Sequence, residues 1–358
     1  MRVMEPTRSS HEPLRVLVVD DSAYNRKSIS EILTSTSEVS VVGKAADGDE
    51  ALRLVGALDP DVITLDLEMP RMNGFTFLRI LMGKMPKPVI VVSSYSHKEN
   101  VFKALELGAI DFVAKPDRYA DAELEQIRQE LLSKVLLVRG LRPSALVQRS
   151  PTEERPEPAA AAPSTVPPRH VVAIACSTGG PTALLEILSR LPQRTTNTIL
   201  VAQHMPARFT KTFADRLDRR SQLRVSEARD QDEVIEASAY ICPGSRCMEL
   251  VPGPTRGTLA LQVAAPAATD RYVPSADRLF SSVARVAGAR SVGVVLTGMG
   301  EDGVQGAKAI TDAGGVVVVE SEKTAVVHGM PGAVLRAGVP QRTLMLEEIA
   351  EFLTALGS

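Results

Sequence analysis

Short apolar runs alternating with amphipathic stretches fill both halves of the chain, and this alternation limits the fold more than any other feature. In the first half, residues 14–19, 39–42, 62–65, 88–92 and 109–113 read as buried strands, with helical patterns at 22–34, 49–58, 75–81, 99–107 and 121–138. In the second, strands at 171–176, 198–203, 239–242, 292–297 and 316–320 alternate with helices at 182–189, 208–218, 276–287 and 303–313. Apolar residues 259–263, after the Pro252-Gly253-Pro254 turn, read as part of a hairpin. Near-continuous apolar strands separated by helices imply parallel sheets covered on both faces. The fold class is therefore α/β, with two doubly wound parallel-sheet domains.

Between the halves the pattern fails. Residues 140–169 carry Pro143, Pro151, Pro156, Pro158, Pro163, Pro167 and Pro168 among Ala, Ser, Glu and Arg, which reads as a flexible, semi-extended linker. The expected organisation is a tail at 1–13, a first domain at 14–139, the linker at 140–169 and a second domain at 170–358. A length of 358 residues suits two domains. The formal charge of −2 argues against nucleic acid or an anionic membrane as the main partner. Residues 1–12 lack the apolar core of a signal peptide, and no stretch reaches the ~20 apolar residues of a membrane span. Three cysteines without paired metal spacing point to a reducing, cytoplasmic setting and no structural zinc.

Ligands of doubly wound sheets gather at strand carboxyl ends. In the first domain those ends carry Asp20 and Asp21, Asp66, Ser93 and Lys115. Converging carboxylates require a cation, and oxygen donors suit Mg²⁺. Asp66 is placed to attack a phosphoryl donor, with Lys115 and the metal offsetting charge on the transferred oxygens. The motifs Leu17-Val18-Val19-Asp20-Asp21-Ser22, Asp66-Leu67-Glu68-Met69-Pro70 with Asn73-Gly74, Ser93-Ser94 and Lys115-Pro116 resemble a two-component receiver domain, flavodoxin-like in fold. The resemblance implies that Asp66 is the phosphoacceptor and that Asp20 or Asp21, with the Glu68 carbonyl, holds Mg²⁺. It makes Ser93 the switch hydroxyl and pairs Lys115 with the phosphoryl group. Phe112 stands where such receivers often have a switch tyrosine.

In the second domain, Ser177 follows a strand directly and precedes a helix opening at Pro181 and Thr182. A hydroxyl there could cap the helix or act as a nucleophile beside helix N–H groups. A nucleophile needs a base. His170 begins the strand that Ser177 ends, roughly 20 Å away at the other sheet edge. His11 and His97 belong to the first half. His204, directly after its strand, is favoured, with His328 as the alternative. Asp302 follows another strand and supplies the acid that would orient the imidazole. A rival reading takes Gly298, Gly300 and Gly303 as a dinucleotide fingerprint with Glu320 as the ribose acid. Glu301 and Asp302 inside that loop would repel a pyrophosphate, which favours the hydrolase reading.

Ser177-Thr178-Gly179-Gly180-Pro181, Gln203-His204-Met205-Pro206, Pro274-Ser275-Ala276-Asp277, Leu296-Thr297-Gly298-Met299-Gly300-Glu301-Asp302-Gly303 and Gly329-Met330-Pro331 are similar to the chemotaxis protein-glutamate methylesterases, whose catalytic domain is Rossmann-like. The resemblance implies hydrolysis of glutamate methyl esters, often with glutamine deamidation, on the cytoplasmic domains of methylated chemoreceptors. It also implies a chemotaxis histidine kinase as phosphodonor and inhibition by the unphosphorylated receiver. The Met299 N–H, with donors near Thr178, is the expected oxyanion hole, and no cofactor is expected in this domain. Cys176 and Cys247 depart from the family pattern, which usually has Ala at the first position and often His at the second. Cys176 is read as core packing.

Overall fold

The computed structural model describes residues 12–94, 98–115, 121–141 and 166–358. Most of the expected linker and tail, with His11, His97 and Pro116, lies outside the described residues. The chain divides into two units, 1–149 and 150–358.

The first unit is a five-stranded parallel sheet in the order β2-β1-β3-β4-β5, formed by β1 (Leu14–Val19), β2 (Val39–Ala45), β3 (Val62–Leu65), β4 (Val89–Ser93) and β5 (Asp111–Ala114). Every residue of β3, β4 and β5 is buried, as a sheet covered on both faces requires. The covering helices are α1 (Ala23–Leu33), α2 (Gly48–Leu58), α3 (Gly74–Lys84), α4 (Lys98–Glu106) and α5 (Asp121–Leu136). Side-chain caps begin three of them: Ser22, Asp47 and Asn73 accept from the N–H of Asn25, Glu50 and Thr76. The strand order reverses between β1 and β3, whose ends carry Asp20 and Asp66.

The second unit holds seven parallel strands in the order β14-β13-β12-β6-β7-β9-β8. They are β6 (His170–Cys176), β7 (Asn197–Gln203), β8 (Arg224–Glu227), β9 (Ser238–Ile241), β12 (Ser291–Val295), β13 (Val316–Glu320) and β14 (Arg342–Leu344). Helices α6 (Gly180–Arg190), α7 (Ala207–Arg220), α8 (Ala276–Ala287), α9 (Val304–Asp312), α10 (Gly329–Arg336) and α11 (Leu346–Leu356) cover it. An antiparallel pair, β10 (Cys247–Pro252) and β11 (Leu259–Ala264), stands apart as the expected hairpin. Phe280 of α8 and Leu250 of β10 are fully buried in one continuous core with Val171, Ala173 and Ala175 of β6. Full burial of such a side chain stabilises by about 1.5–3 kcal/mol.

From β6 the chain runs outward through β7, and it later returns to the opposite flank of β6 as β12. The crevice at this reversal lies at the carboxyl ends of β6, β7 and β12, the position where doubly wound sheets bind ligands.

Candidate active site and phosphoacceptor site

Cys176 and Gln203 are register partners at the ends of β6 and β7, so Ser177 and His204 leave neighbouring strands side by side. The His204 N–H donates to the Cys176 carbonyl at 3.0 Å, and the Ser177 N–H donates to Thr297 O, just beyond β12, also at 3.0 Å. Gln203 is buried, and its amide nitrogen donates to the carbonyls of both Ser177 (3.0 Å) and His204 (2.9 Å). One side chain thus ties the two segment ends together, a role that sequence spacing alone did not reveal.

His204 Nε2 lies 2.8 Å from Asp302 Oδ2. The same carboxylate accepts from the Ala276 N–H at 2.8 Å and the Asp277 N–H at 3.0 Å, the first two residues of α8. Asp302 is 1% exposed, so its charge rests on the positive end of α8 rather than on water. Ser275 caps that helix through the Arg278 N–H. An acceptor-only carboxylate at Nε2 fixes the imidazole tautomer and leaves Nδ1 as the accepting nitrogen. Among the described residues, the Ser177 hydroxyl makes no hydrogen bond to His204. Such contacts are often long before substrate binds.

Three expectations are revised or decided. Ser177 does not cap α6: the cap residue is Gly179, with φ 78°, and the Gly180 N–H donates to the Ser177 carbonyl at 2.8 Å. The helix opens at Gly180, one residue before the expected Pro181 start, because Gly179 can take the left-handed conformation. His328, the alternative base, is instead the cap residue of α10, with its ring beside Gly332. His170 begins β6, opposite the crevice.

The glycine fingerprint serves packing. A Cβ on Gly298 would sit 2.4 Å from Met330 Sδ and 2.8 Å from Ser177 Cβ, and one on Gly300 would sit 2.9 Å from the Tyr272 hydroxyl. Glu320 is fully buried and accepts from the Thr297 N–H at 2.8 Å, so its carboxylate is turned into the loop and not presented at the surface. Thr297 Oγ1 donates to Thr178 O at 2.8 Å and accepts from the Val327 N–H at 2.9 Å. The loop is thereby bolted to β6 and to the entrance of α10. The Gly298 N–H is taken by Val327 O. The next N–H, that of Met299, makes no hydrogen bond among the described residues, and the Met299 side chain is 45% exposed.

Cys176 is buried and its thiol donates to Gln203 Oε1 at 3.1 Å. Burial, with Glu320 nearby, pushes this thiol well above the ordinary range, so it supplies no thiolate. Cys247 is also buried, 3.6 Å from Asp270 Oδ2. A cavity of about 340 Å³ adjoins Asp302 and is lined by Asp270, Arg271, Tyr272, Asp277, Arg278 and Glu301 among others.

In the first unit, Asp20, Asp21 and Asp66 each offer a carboxylate oxygen within 4.8 Å of the others. Lys115 Nζ lies 2.5 Å from Asp66 Oδ2 and 2.7 Å from Asp20 Oδ2. Asp20 Oδ2 is buried against the Lys115 ammonium, and a carboxylate oxygen so paired keeps a second lone pair that a cation could take. Burial pushes the Asp66 carboxyl up, against the pull of Lys115. Lys115 is held above its usual value because Asp66 and Asp20 outweigh its own burial. This all-oxygen set fits Mg²⁺. Glu68 points outward, and its N–H donates to Asp66 Oδ1 at 3.3 Å. Ser93 is buried at the end of β4, its carbonyl accepting from the Lys115 N–H at 2.8 Å. Phe112 is 2% exposed, edge-on to Phe102 at 6.3 Å, with Lys134 Nζ 5.3 Å from its ring centre.

A phosphoacceptor-type sheet followed by an α/β sheet with a Ser, His and Asp at its reversal defines a response regulator with a hydrolase-class output domain. Residues 172–353 match the CheB methylesterase family, and residues 16–127 match the response regulator receiver domain. A protein-glutamate methylesterase/protein-glutamine glutaminase 1 from Myxococcus xanthus is 49% identical over 348 residues, covering 97% of this chain and 98% of that protein. One from Geobacter sulfurreducens, numbered 3, is 45% identical, covering 94% and 95%. The crystal structure of the Thermotoga maritima CheB methylesterase catalytic domain aligns with a TM-score of 0.50 and 36% identity, covering 52% of this chain and 98% of that one. The chain belongs to the CheB methylesterase family of chemotaxis response regulators. Among the described residues, no helix is long and apolar enough to cross a membrane.

Proposed function

We propose that this protein hydrolyses glutamate methyl esters, and deamidates glutamines, on the cytoplasmic domains of chemoreceptors, using Ser177, His204 and Asp302 under control of phosphorylation at Asp66. The observation that carries the reading is the 2.8 Å contact of His204 Nε2 with a buried Asp302, on the strand next to the one that presents Ser177. His204 Nδ1 takes the Ser177 proton as Oγ attacks the ester carbonyl, and Asp302 stabilises the imidazolium that forms. The tetrahedral oxyanion is received by the Met299 N–H with donors near Thr178. Collapse returns the proton to the departing methanol, or to ammonia from a glutamine, and leaves an acyl-enzyme. Water, activated by the same imidazole, then releases glutamate.

In the receiver, Asp20, Asp21, Asp66 and the Glu68 carbonyl are the residues that would hold Mg²⁺, which supplies charge neutralisation to a transferring phosphoryl group. Asp66 is the nucleophile toward a phosphodonor, a histidine kinase in the cell. Lys115 pairs with the acquired phosphoryl oxygens, and Ser93 responds to them.

Methanol release from a methylated receptor tests the enzymatic reading. Ser177→Ala and His204→Ala are expected to lower kcat by at least about a thousand-fold. Asp302→Asn lowers it by a comparable factor, since an amide no longer fixes the tautomer. Undiminished release from Ser177→Ala would overturn this assignment.

A further inference from the structure

A hydrogen bond at Nε2 is one constraint on an imidazole that requires more than one. Histidine χ2 has a broad torsional profile. A ring held only at Nε2 can therefore pivot about that bond and swing Nδ1 away from Ser177. The face of the His204 ring is covered by Tyr272, whose ring lies parallel within 5° at a centroid distance of 5.4 Å. Tyr272 is itself fixed on several sides. Arg271, which pairs with Glu301, places its guanidinium carbon 5.6 Å from the tyrosine ring centre. The tyrosine hydroxyl occupies the space that a Cβ on Gly300 would need. The loop leading to Tyr272 is clamped at Asp270, which accepts from the Ala267 N–H (2.6 Å) and from Arg278 Nη1 (2.7 Å), while Arg278 Nε reaches Glu249 on β10 at 3.1 Å.

We infer that Tyr272 is a positioning residue for the hydrolytic reaction: its ring supplies the planar constraint that keeps His204 Nδ1 directed at Ser177 while Asp302 holds Nε2. This role rests on the triad reading above. The hydroxyl takes no part in it, so the aromatic face is the functional element, and the loop with its Arg278 clamp sets the orientation of the base. The glycine at 300 gains a second reason, since a side chain there would displace the tyrosine from the imidazole.

Full-length Tyr272→Ala, Tyr272→Leu and Tyr272→Phe, with His204→Ala alongside, test the role through kcat and KM for methanol release. Each is checked for an intact thermal transition. Loss of the ring in Ala and Leu is expected to lower kcat about ten-fold with KM within about two-fold, as misorientation of a base does, while Phe keeps parent values. The hydrogen-bonded imidazole proton of His204, followed by NMR, is expected to be sharp in the parent and Phe proteins and broadened by exchange in Ala and Leu. Parent-like kcat in Leu, or a rise in KM at unchanged kcat, would overturn the role and make Tyr272 a filler or a substrate wall. Activity retained in His204→Ala would instead overturn the triad reading and, with it, this role.

Discussion

Gln203 is buried between β6 and β7 with its amide nitrogen bonded to two carbonyls and its oxygen to a thiol. Gln203→Leu keeps the volume and removes all three bonds, leaving the Ser177 carbonyl with the Gly180 N–H alone and the His204 carbonyl and the Cys176 thiol without the amide. The expected cost is about 2 kcal/mol in a denaturant titration of the second unit. An unchanged midpoint would show that water replaces the amide. The same residue illustrates what reading along the chain could and could not reach. Ser177 and His204 are legible because each directly follows an apolar strand, and Asp302 because it lies in the glycine-rich loop between a strand and a helix. Gln203 reads only as the last buried strand residue, since nothing in its neighbours says that its amide spans to the next strand. Asp302 is similar in part: its position was legible, its seat on the N–H groups of Ala276 and Asp277 was not. The signal for that seat was present in Pro274-Ser275-Ala276-Asp277, a capped helix start with no assigned anion.

The loop that joins β12 to α9 is shared by three neighbours: Ser177 after β6, Val327 before α10 and Glu320 at the end of β13. Gly298→Ala would force a Cβ to within 2.4 Å of Met330 Sδ and 2.9 Å of the Ser177 nitrogen. The loop must then lift from both β6 and α10. Methanol release is expected to fall at least ten-fold, while uptake of phosphoryl groups at Asp66 is unaffected. Parent-like release would show that the loop can shift without disturbing Ser177. Among the elements, long buried strands and periodic helices were legible. Strand β8 (Arg224–Glu227) and strand β14 (Arg342–Leu344) were not, because short and partly exposed strands carry little alternation. Helix α11 carries a periodic signal, with Leu346, Ile349, Ala350 and Leu353 on one buried face, and lies beyond the last expected element.

In the whole molecule, regulation requires that chemistry at Asp66 alter hydrolysis at Ser177. The parent protein is expected to release methanol faster with a small-molecule phosphodonor and Mg²⁺, and Asp66→Ala is expected not to respond. Chelation of Mg²⁺ should abolish the rise while leaving the basal rate unchanged, since no metal takes part in the proposed hydrolysis. A rise in Asp66→Ala equal to the parent's would exclude Asp66 as the control point. On the proposed gating, such a rise would be a population shift whose size reports the differential stability of two states. Phe112, buried against Phe102 and Lys134, has no hydroxyl to exchange partners when Asp66 is modified.

The alternation of apolar and amphipathic segments determined by itself two parallel α/β domains and the strand ends at which polar residues collect, because a sheet buried on both faces leaves few other patterns. Tertiary structure alone decided that β12 returns beside β6 rather than beyond β7, bringing Asp302 to His204 across 98 residues of sequence. It also decided that Gly179 and not Ser177 caps α6, which leaves the Ser177 side chain uncommitted to the helix. Both outcomes depend on which strands pair and which backbone groups they satisfy, and those are properties of contacts between distant segments rather than of local composition.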